Sequence, residues 1–168
     1  MKIIRAEIER TGGPEVIAWR EDELAAPGPG EVTLVHAAVG INFIDTYHRN
    51  GIYPVDLPGS LGLEAAGTIA AVGTDVADFK EGDRVATLGP ERGAYSSARN
   101  VAAASLFPLP DNIDDRTAAA SLLKGGTAEF LVERCAKVQP GWPVLVHAAA
   151  GGVGQLLVQW LKHIGATV

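Results

Sequence analysis

Between residues 144 and 165 the chain runs Val144-Leu145-Val146-His147-Ala148, then Ala149-Ala150-Gly151-Gly152-Val153-Gly154, then an amphipathic stretch closing on Gly165. A short apolar run, a glycine-rich turn and a helical period form the context in which a glycine pattern can hold a dinucleotide. One glycine permits the sharp turn. A second lets the backbone approach a pyrophosphate with no Cβ in the way, and a third allows the helix to pack closely on the strand. The phosphates then meet the positive end of the helix. Ala150, Gly151, Gly152, Val153 and Gly154 are therefore candidate cofactor contacts. In a strict G-x-G-x-x-G register Ala149 takes the place of the first glycine. Glycine-rich strand-to-helix turns also serve packing alone, so the pattern by itself leaves both readings open. The position that usually separates NADP from NAD lies about 20 residues past the glycines, beyond Val168.

The elements around this turn follow from periodicity. Val153, Leu157, Trp160, Leu161 and Ile164 repeat as one apolar stripe, which predicts a helix packed on a sheet and gives those residues to the core. Residues 144–148 predict a strand and residues 166–168 the start of another. Upstream, residues 114–122 predict a helix with acids in its first turn. Residues 127–134 predict a second helix, ended by Gln139-Pro140-Gly141. Before Asp111 the pattern is one of strands: residues 32–39 after Pro27-Gly28-Pro29-Gly30, residues 65–73 with small side chains where backbone can approach closely, residues 84–88 after the Glu81-Gly82-Asp83 turn, and one more within 93–102. Many short strands with tight turns predict a compact β-barrel-like domain.

The chain of 168 residues is 47% apolar and 20% charged, with 20 glycines and 10 prolines. That composition supports a buried core and more turns than a helical bundle uses. A net charge of -6 with 14 basic residues and no basic run argues against strong nucleic-acid binding. No stretch approaches the roughly 20 apolar residues of a membrane span. Met1-Lys2-Ile3-Ile4-Arg5-Ala6-Glu7 places charges where a signal peptide needs an apolar core, so a cytoplasmic location is expected. Cys135 is the single cysteine, which excludes an internal disulfide and a multi-cysteine metal site. It is expected to be a buried small apolar residue. His36, His48 and His163 show no metal-ligand pattern, and His147 reads equally as a core or a functional residue.

Seven segments then occur in order: Asn42-Phe43-Ile44-Asp45-Thr46-Tyr47, Gly51-Ile52-Tyr53-Pro54, Gly62-Leu63-Glu64-Ala65-Ala66-Gly67, Gly82-Asp83-Arg84-Val85, Gly93-Ala94-Tyr95, Leu123-Lys124-Gly125-Gly126-Thr127-Ala128, and His147 through Gly154. The series covers essentially the whole chain. It resembles the quinone oxidoreductases related to zeta-crystallin, within the medium-chain dehydrogenase/reductase superfamily. The resemblance implies an α/β protein with a GroES-like, β-barrel-type catalytic domain over residues 1–122, followed by the start of a Rossmann doubly wound domain over residues 123–168. It also implies NADPH as cofactor, a quinone as substrate, and transfer of hydride or electrons from one to the other. The zinc alcohol dehydrogenases of the same superfamily carry Cys where this chain has Asn42, and His where it has Leu63. Neither an amide nor a leucine replaces a thiolate or imidazole at zinc, so no metal is expected. A quinone is already a good electron acceptor, and its reduction needs positioning more than a Lewis acid.

By resemblance Asn42 turns its amide toward the nicotinamide end of the cofactor; the alternative is an Asn bonded to its own backbone. Tyr47 and Tyr53 match aromatic substrate-pocket residues, able to stack on a planar quinone and donate to its oxygen. Packing at the base of a loop is the other reading for each. Lys124 and Thr127 match residues near the nicotinamide and its ribose, with a helix cap the alternative for Thr127. Asp45 is expected to hold its loop through backbone bonds, and Glu64 to be a buried structural carboxylate. Family members continue through the rest of the Rossmann sheet and are commonly dimers. This chain is therefore expected to be a fragment or partner-dependent, inactive alone, and part of a homodimer when complete. A non-catalytic relative, structural or RNA-binding, is the alternative function.

Overall fold

A computed structural model describes residues 1–168. They form two compact units, Met1–Ala120 and Ser121–Val168.

The first unit is built from two antiparallel sheets. In one, β1 (Lys2–Ile8) pairs along its length with β2 (Ile17–Glu23), from Lys2 opposite Glu23 to Ile8 opposite Ile17. Its other edge meets the short β4 (Gly59–Ser60). The outer strand β2 exposes Trp19, Arg20, Glu21, Asp22 and Glu23, a mostly charged edge that discourages pairing with another chain. The second sheet contains β3 (Glu31–Gly40), β5 (Glu64–Val72), β6 (Arg84–Leu88), β7 (Ala98–Ala102) and β8 (Leu106–Pro108), in the order β7-β3-β5-β6-β8. The strands predicted at 32–39, 65–73 and 84–88 all form; within 93–102 the strand begins only at Ala98. Alternating side chains put Val32, Leu34, Ile69, Val85, Val101 and Leu106 into one buried cluster. The small residues of β5 serve close approach, as expected: a Cβ on Gly67 would fall on the carbonyl oxygen of Val35. The register of β3 shifts between His36 and Ala38 beside that glycine.

His36 lies on this stretch of β3, and its Nδ1–H donates to the Ser96 carbonyl at 2.8 Å. Burial, with the Arg99 guanidinium nearby, pushes its pKa from 6.5 down to about 4. The unfolded chain therefore takes up this proton near pH 6.5, while the folded chain refuses it until about pH 4. The stability involved is fully present above pH 6.5 and declines as the pH falls from there toward 4. Urea midpoints measured at pH 7 and pH 5 should fall on acidification, and His36→Gln should reduce that fall. An unchanged difference would remove His36 as its source.

After β3 the chain turns into α1 (Phe43–Asn50), with Asn42 at the N-cap and Asp45 closing a capping box. The helix ends on Gly51 in the left-handed conformation, at φ 83°.

The helical region departs from the sequence-based expectation. A single helix, α2 (Asp115–Glu129), replaces the predicted pair and runs through Gly125-Gly126 into a π-helical turn at Phe130–Ala136. Two glycines cost about 1 kcal/mol each in a helix, which hydrogen bonding on both sides can absorb. Within the π-helical turn only Val132 is buried. Cys135 is exposed, contrary to its expected burial, because this turn keeps a single side chain inside. Residues 144–148 form no strand either. The local pairing is one parallel bridge, Pro143 with Thr167, supported by Val144 N–H donating to Thr167 O at 2.8 Å and Thr167 N–H to Trp142 O at 2.9 Å. Leu145 is 83% exposed. By contrast α3 (Gly152–Ile164) forms as read and closes on Gly165 at φ 93°, with Leu161 buried on its apolar face. No helix is long and apolar enough to cross a membrane.

Candidate active site

In the first unit the site is organised around the junction of β3 and α1. Asn42 is only 5% exposed, and its Nδ2 donates to Glu64 Oε2 at 2.8 Å. Its own backbone N–H donates to Asp45 Oδ2 at 2.9 Å. The amide thus engages a carboxylate from β5 through its nitrogen, and within the capping box the Asn42 side chain also takes the Asp45 backbone N–H, so the local backbone bond expected as the alternative is made as well. Glu64 is fully buried, as expected for a structural carboxylate. Asp45 makes its expected backbone bond and a second one that the sequence did not reveal: Oδ2 also accepts the Tyr95 hydroxyl at 2.7 Å. Burial and this bond hold the Tyr95 phenol well above the usual range, so it remains a donor.

Tyr47 and Tyr53 are brought together, with ring centroids 5.4 Å apart at 75°. The N–H of Tyr53 also donates to the Tyr47 carbonyl at 3.1 Å. Phe43 extends the row on the other side of Tyr47, edge-on at 5.2 Å, and His48 lies 5.9 Å from the Tyr53 ring. Phe43 and Tyr53 are open to solvent, at 74% and 45% exposed, while His48 beyond Tyr53 is buried. Phe43 was given no role from the sequence, although its i, i+4 spacing from Tyr47 on a helix is the signal that could have found it.

The second unit presents the glycine turn. Gly151 is the extended N-cap of α3, and its N–H donates to Ala148 O at 2.8 Å. Ala148 itself takes a left-handed conformation at φ 52°. The N–H groups of Gly152, Val153 and Gly154 stand in the first turn, where a helix offers them no acceptor. A Cβ on Gly154 would fall on the backbone of Ala148 and Ala149, so this glycine lets the helix start close against the turn. On Gly152 a Cβ would meet only the stem of Lys124, at 2.8 Å from Cδ and 2.9 Å from Cε. Lys124 is thus laid across the turn from α2. An exposed, positively poled helix start with a lysine stem over it suits the pyrophosphate of a dinucleotide. Thr127 is not a helix cap: it lies inside α2, and its hydroxyl donates to Leu123 O at 2.8 Å. Ala150 contributes its carbonyl to Gln155 Nε2 at 2.9 Å. His147 is exposed and so is not a core residue.

Residues 28–132 match the model of the alcohol dehydrogenase GroES-like domain. The chain belongs to that family. Along nearly its whole length this GroES-like chain is similar to a quinone oxidoreductase of Pseudomonas aeruginosa, 47% identical over 96% of this chain and 50% of the relative. It is also 45% identical to a 2-haloacrylate reductase of a Burkholderia species, over 99% of this chain and 52% of that protein. The crystal structure of Escherichia coli quinone oxidoreductase complexed with NADPH superposes with a TM-score of 0.95 at 45% identity, over 97% of this chain and 50% of that one. The kinship with quinone oxidoreductases of the medium-chain dehydrogenase/reductase superfamily, and the mixed α/β fold with a GroES-like domain, are as the motif series implied. The chain spans about half the length of the relatives it matches.

Proposed function

We propose that this GroES-like chain is the catalytic part, with the opening of the nucleotide-binding part, of an NADPH-dependent oxidoreductase that reduces quinones without zinc. The catalytic domain in this reading is residues 1–122, and residues 123–168 begin the Rossmann domain. The observation that carries the proposal is the glycine turn leading into α3, with open first-turn amides and Lys124 laid over Gly152. The NADPH complex of the Escherichia coli relative supports the choice of cofactor.

NADPH supplies a hydride when bound. The turn Ala150, Gly151, Gly152, Val153 and Gly154 would hold its pyrophosphate, the last three through first-turn N–H groups and the helix dipole, with Gly151 shaping the turn through its N–H bond to Ala148 O. By the family resemblance Lys124 and Thr127 would serve the nicotinamide and its ribose, and Asn42 would orient the nicotinamide end. Tyr47 and Tyr53 supply ring faces and edges for a planar acceptor. The exposed Tyr53 phenol donates a hydrogen bond to a quinone oxygen, which gains negative charge as it is reduced. Zinc independence is supported by the donor chemistry, since the amide of Asn42 is turned to Glu64 and Leu63 offers no ligand atom. A homodimer is the working assembly of the complete protein in this reading, and the cytoplasm its location.

The test is NADPH oxidation by the protein expressed from its own reading frame, followed with simple quinones and with 2-haloacrylate, before and after dialysis against a strong zinc chelator. Quinone-dependent oxidation unchanged by chelation is expected. Activity lost on chelation and restored by zinc would overturn zinc independence. Turnover of the haloacrylate alone would move the substrate class to activated alkenes.

A further inference from the structure

Tyr95 takes no part in the chemistry above, yet its phenol reaches the junction that carries Asn42. We infer that Tyr95, acting through Asp45, is a positioning residue for Asn42, and that Glu64 sets which way the Asn42 amide faces. The inference rests on the reading of Asn42 as a cofactor-facing group.

A single carboxylate oxygen, Asp45 Oδ2, takes both the Asn42 backbone N–H at 2.9 Å and the Tyr95 O–H at 2.7 Å. Asp45 is 4% exposed, so little water is at hand to replace a lost donor. Hydrogen bonds to an ionised carboxylate are short and directional, and two of them fix where its oxygen sits. Tyr95 is itself anchored from outside α1. Its N–H donates to Leu61 O at 3.0 Å, and its carbonyl accepts the Ala6 N–H of β1 at 2.7 Å. Its ring lies against Gly62, where a Cβ would collide with it. The first turn of α1 is therefore located against β1 and the Leu61–Gly62 segment, through Tyr95, as well as by its own capping box.

Glu64 acts on the other end of the residue. Asn42 Nδ2 donates to Glu64 Oε2 at 2.8 Å, so the side of the amide that faces Glu64 is its nitrogen. The 180° flip that asparagine amides readily make would put oxygen against oxygen in a fully buried place. The Asn42 side chain also accepts the Asp45 backbone N–H in the capping box, so its two ends are held in one sense, the nitrogen by Glu64 and the oxygen by the start of α1.

Tyr95→Phe keeps the ring and removes the one bond. It should be compared with Asn42→Ala and with the double variant, in the protein expressed from its own reading frame. Three quantities are read: the Asn42 side-chain amide signal in a 15N-resolved NMR spectrum, the NADPH Kd by nicotinamide fluorescence, and kcat with quinone. A melting curve controls for folding. The expected result is a shifted Asn42 amide signal and kcat lowered about tenfold, with Kd nearly unchanged, because small misplacements act on the reacting geometry more than on binding. In the Asn42→Ala background the same substitution should have no further effect on kcat. Glu64→Gln, which permits the flip, should also move the Asn42 signal. An unmoved amide signal in Tyr95→Phe, or full additivity with Asn42→Ala, overturns the positioning role. A silent Asn42→Ala variant overturns the reading of Asn42 beneath it, and this inference with it.

Discussion

Gly152→Asp should weaken NADPH binding by about a hundredfold or more, roughly 2.7 kcal/mol, while the helix it opens stays folded. The two effects separate because of what surrounds this glycine. A new Cβ meets only the Cδ and Cε atoms of Lys124, at 2.8 and 2.9 Å, and that flexible stem can swing aside. An aspartate in the first turn of a helix stabilises it through the dipole by about 0.3–1 kcal/mol. The same carboxylate occupies and repels the position proposed for the pyrophosphate. Thermal unfolding should therefore hold steady or rise while nicotinamide fluorescence titrations lose affinity. Unchanged affinity would remove the pyrophosphate from this turn. Gly154 cannot serve the same purpose, since any Cβ there strikes the Ala148–Ala149 backbone and disrupts the turn itself.

The largest loss of stability is expected from Gly67→Val. Gly67 sits in the middle of β5, opposite His36 on β3 and Val85 on β6, and is buried. A Cβ there overlaps the Val35 carbonyl oxygen and comes within 3.0 Å of the Ala37 nitrogen. Both are backbone atoms, held by the ladder, and they cannot rotate away as a side chain can. Relief would require separating β3 from β5 at the centre of the five-stranded sheet. A cost above about 4 kcal/mol follows, a large part of what keeps a domain folded. The variant should be mostly insoluble or unfold at much lower urea, and Gly67→Ala should lie between it and the parent. A Gly67→Val protein with the parental urea midpoint would show that the two strands do not approach as closely as described.

What could be read from the sequence was short in range. The glycine turn, the helix after it and its Gly165 stop depend on residues within one or two turns of each other, and they form as read. The strands at 32–39, 65–73 and 84–88 carry their own alternation and β-branched side chains, and they too form. Motifs in order were enough to point to the family. Where neighbours from elsewhere decide the outcome, local pattern was silent or misleading. Residues 144–148 have strand composition, yet the local pairing is the single bridge of Pro143 with Thr167. Gly125-Gly126 look like a break, yet the helix passes through them. Cys135 has a residue type that favours burial but falls on the outside of a π-helical turn. The link from Tyr95 to Asp45 spans 50 positions, and that from Asn42 to Glu64 spans 22. Sequence alone supplied these side chains and their chemistry. Only the packing of one sheet against the start of a helix decided which donor meets which acceptor, because a buried hydrogen bond is set by the placement of both partners in space and not by their spacing along the chain.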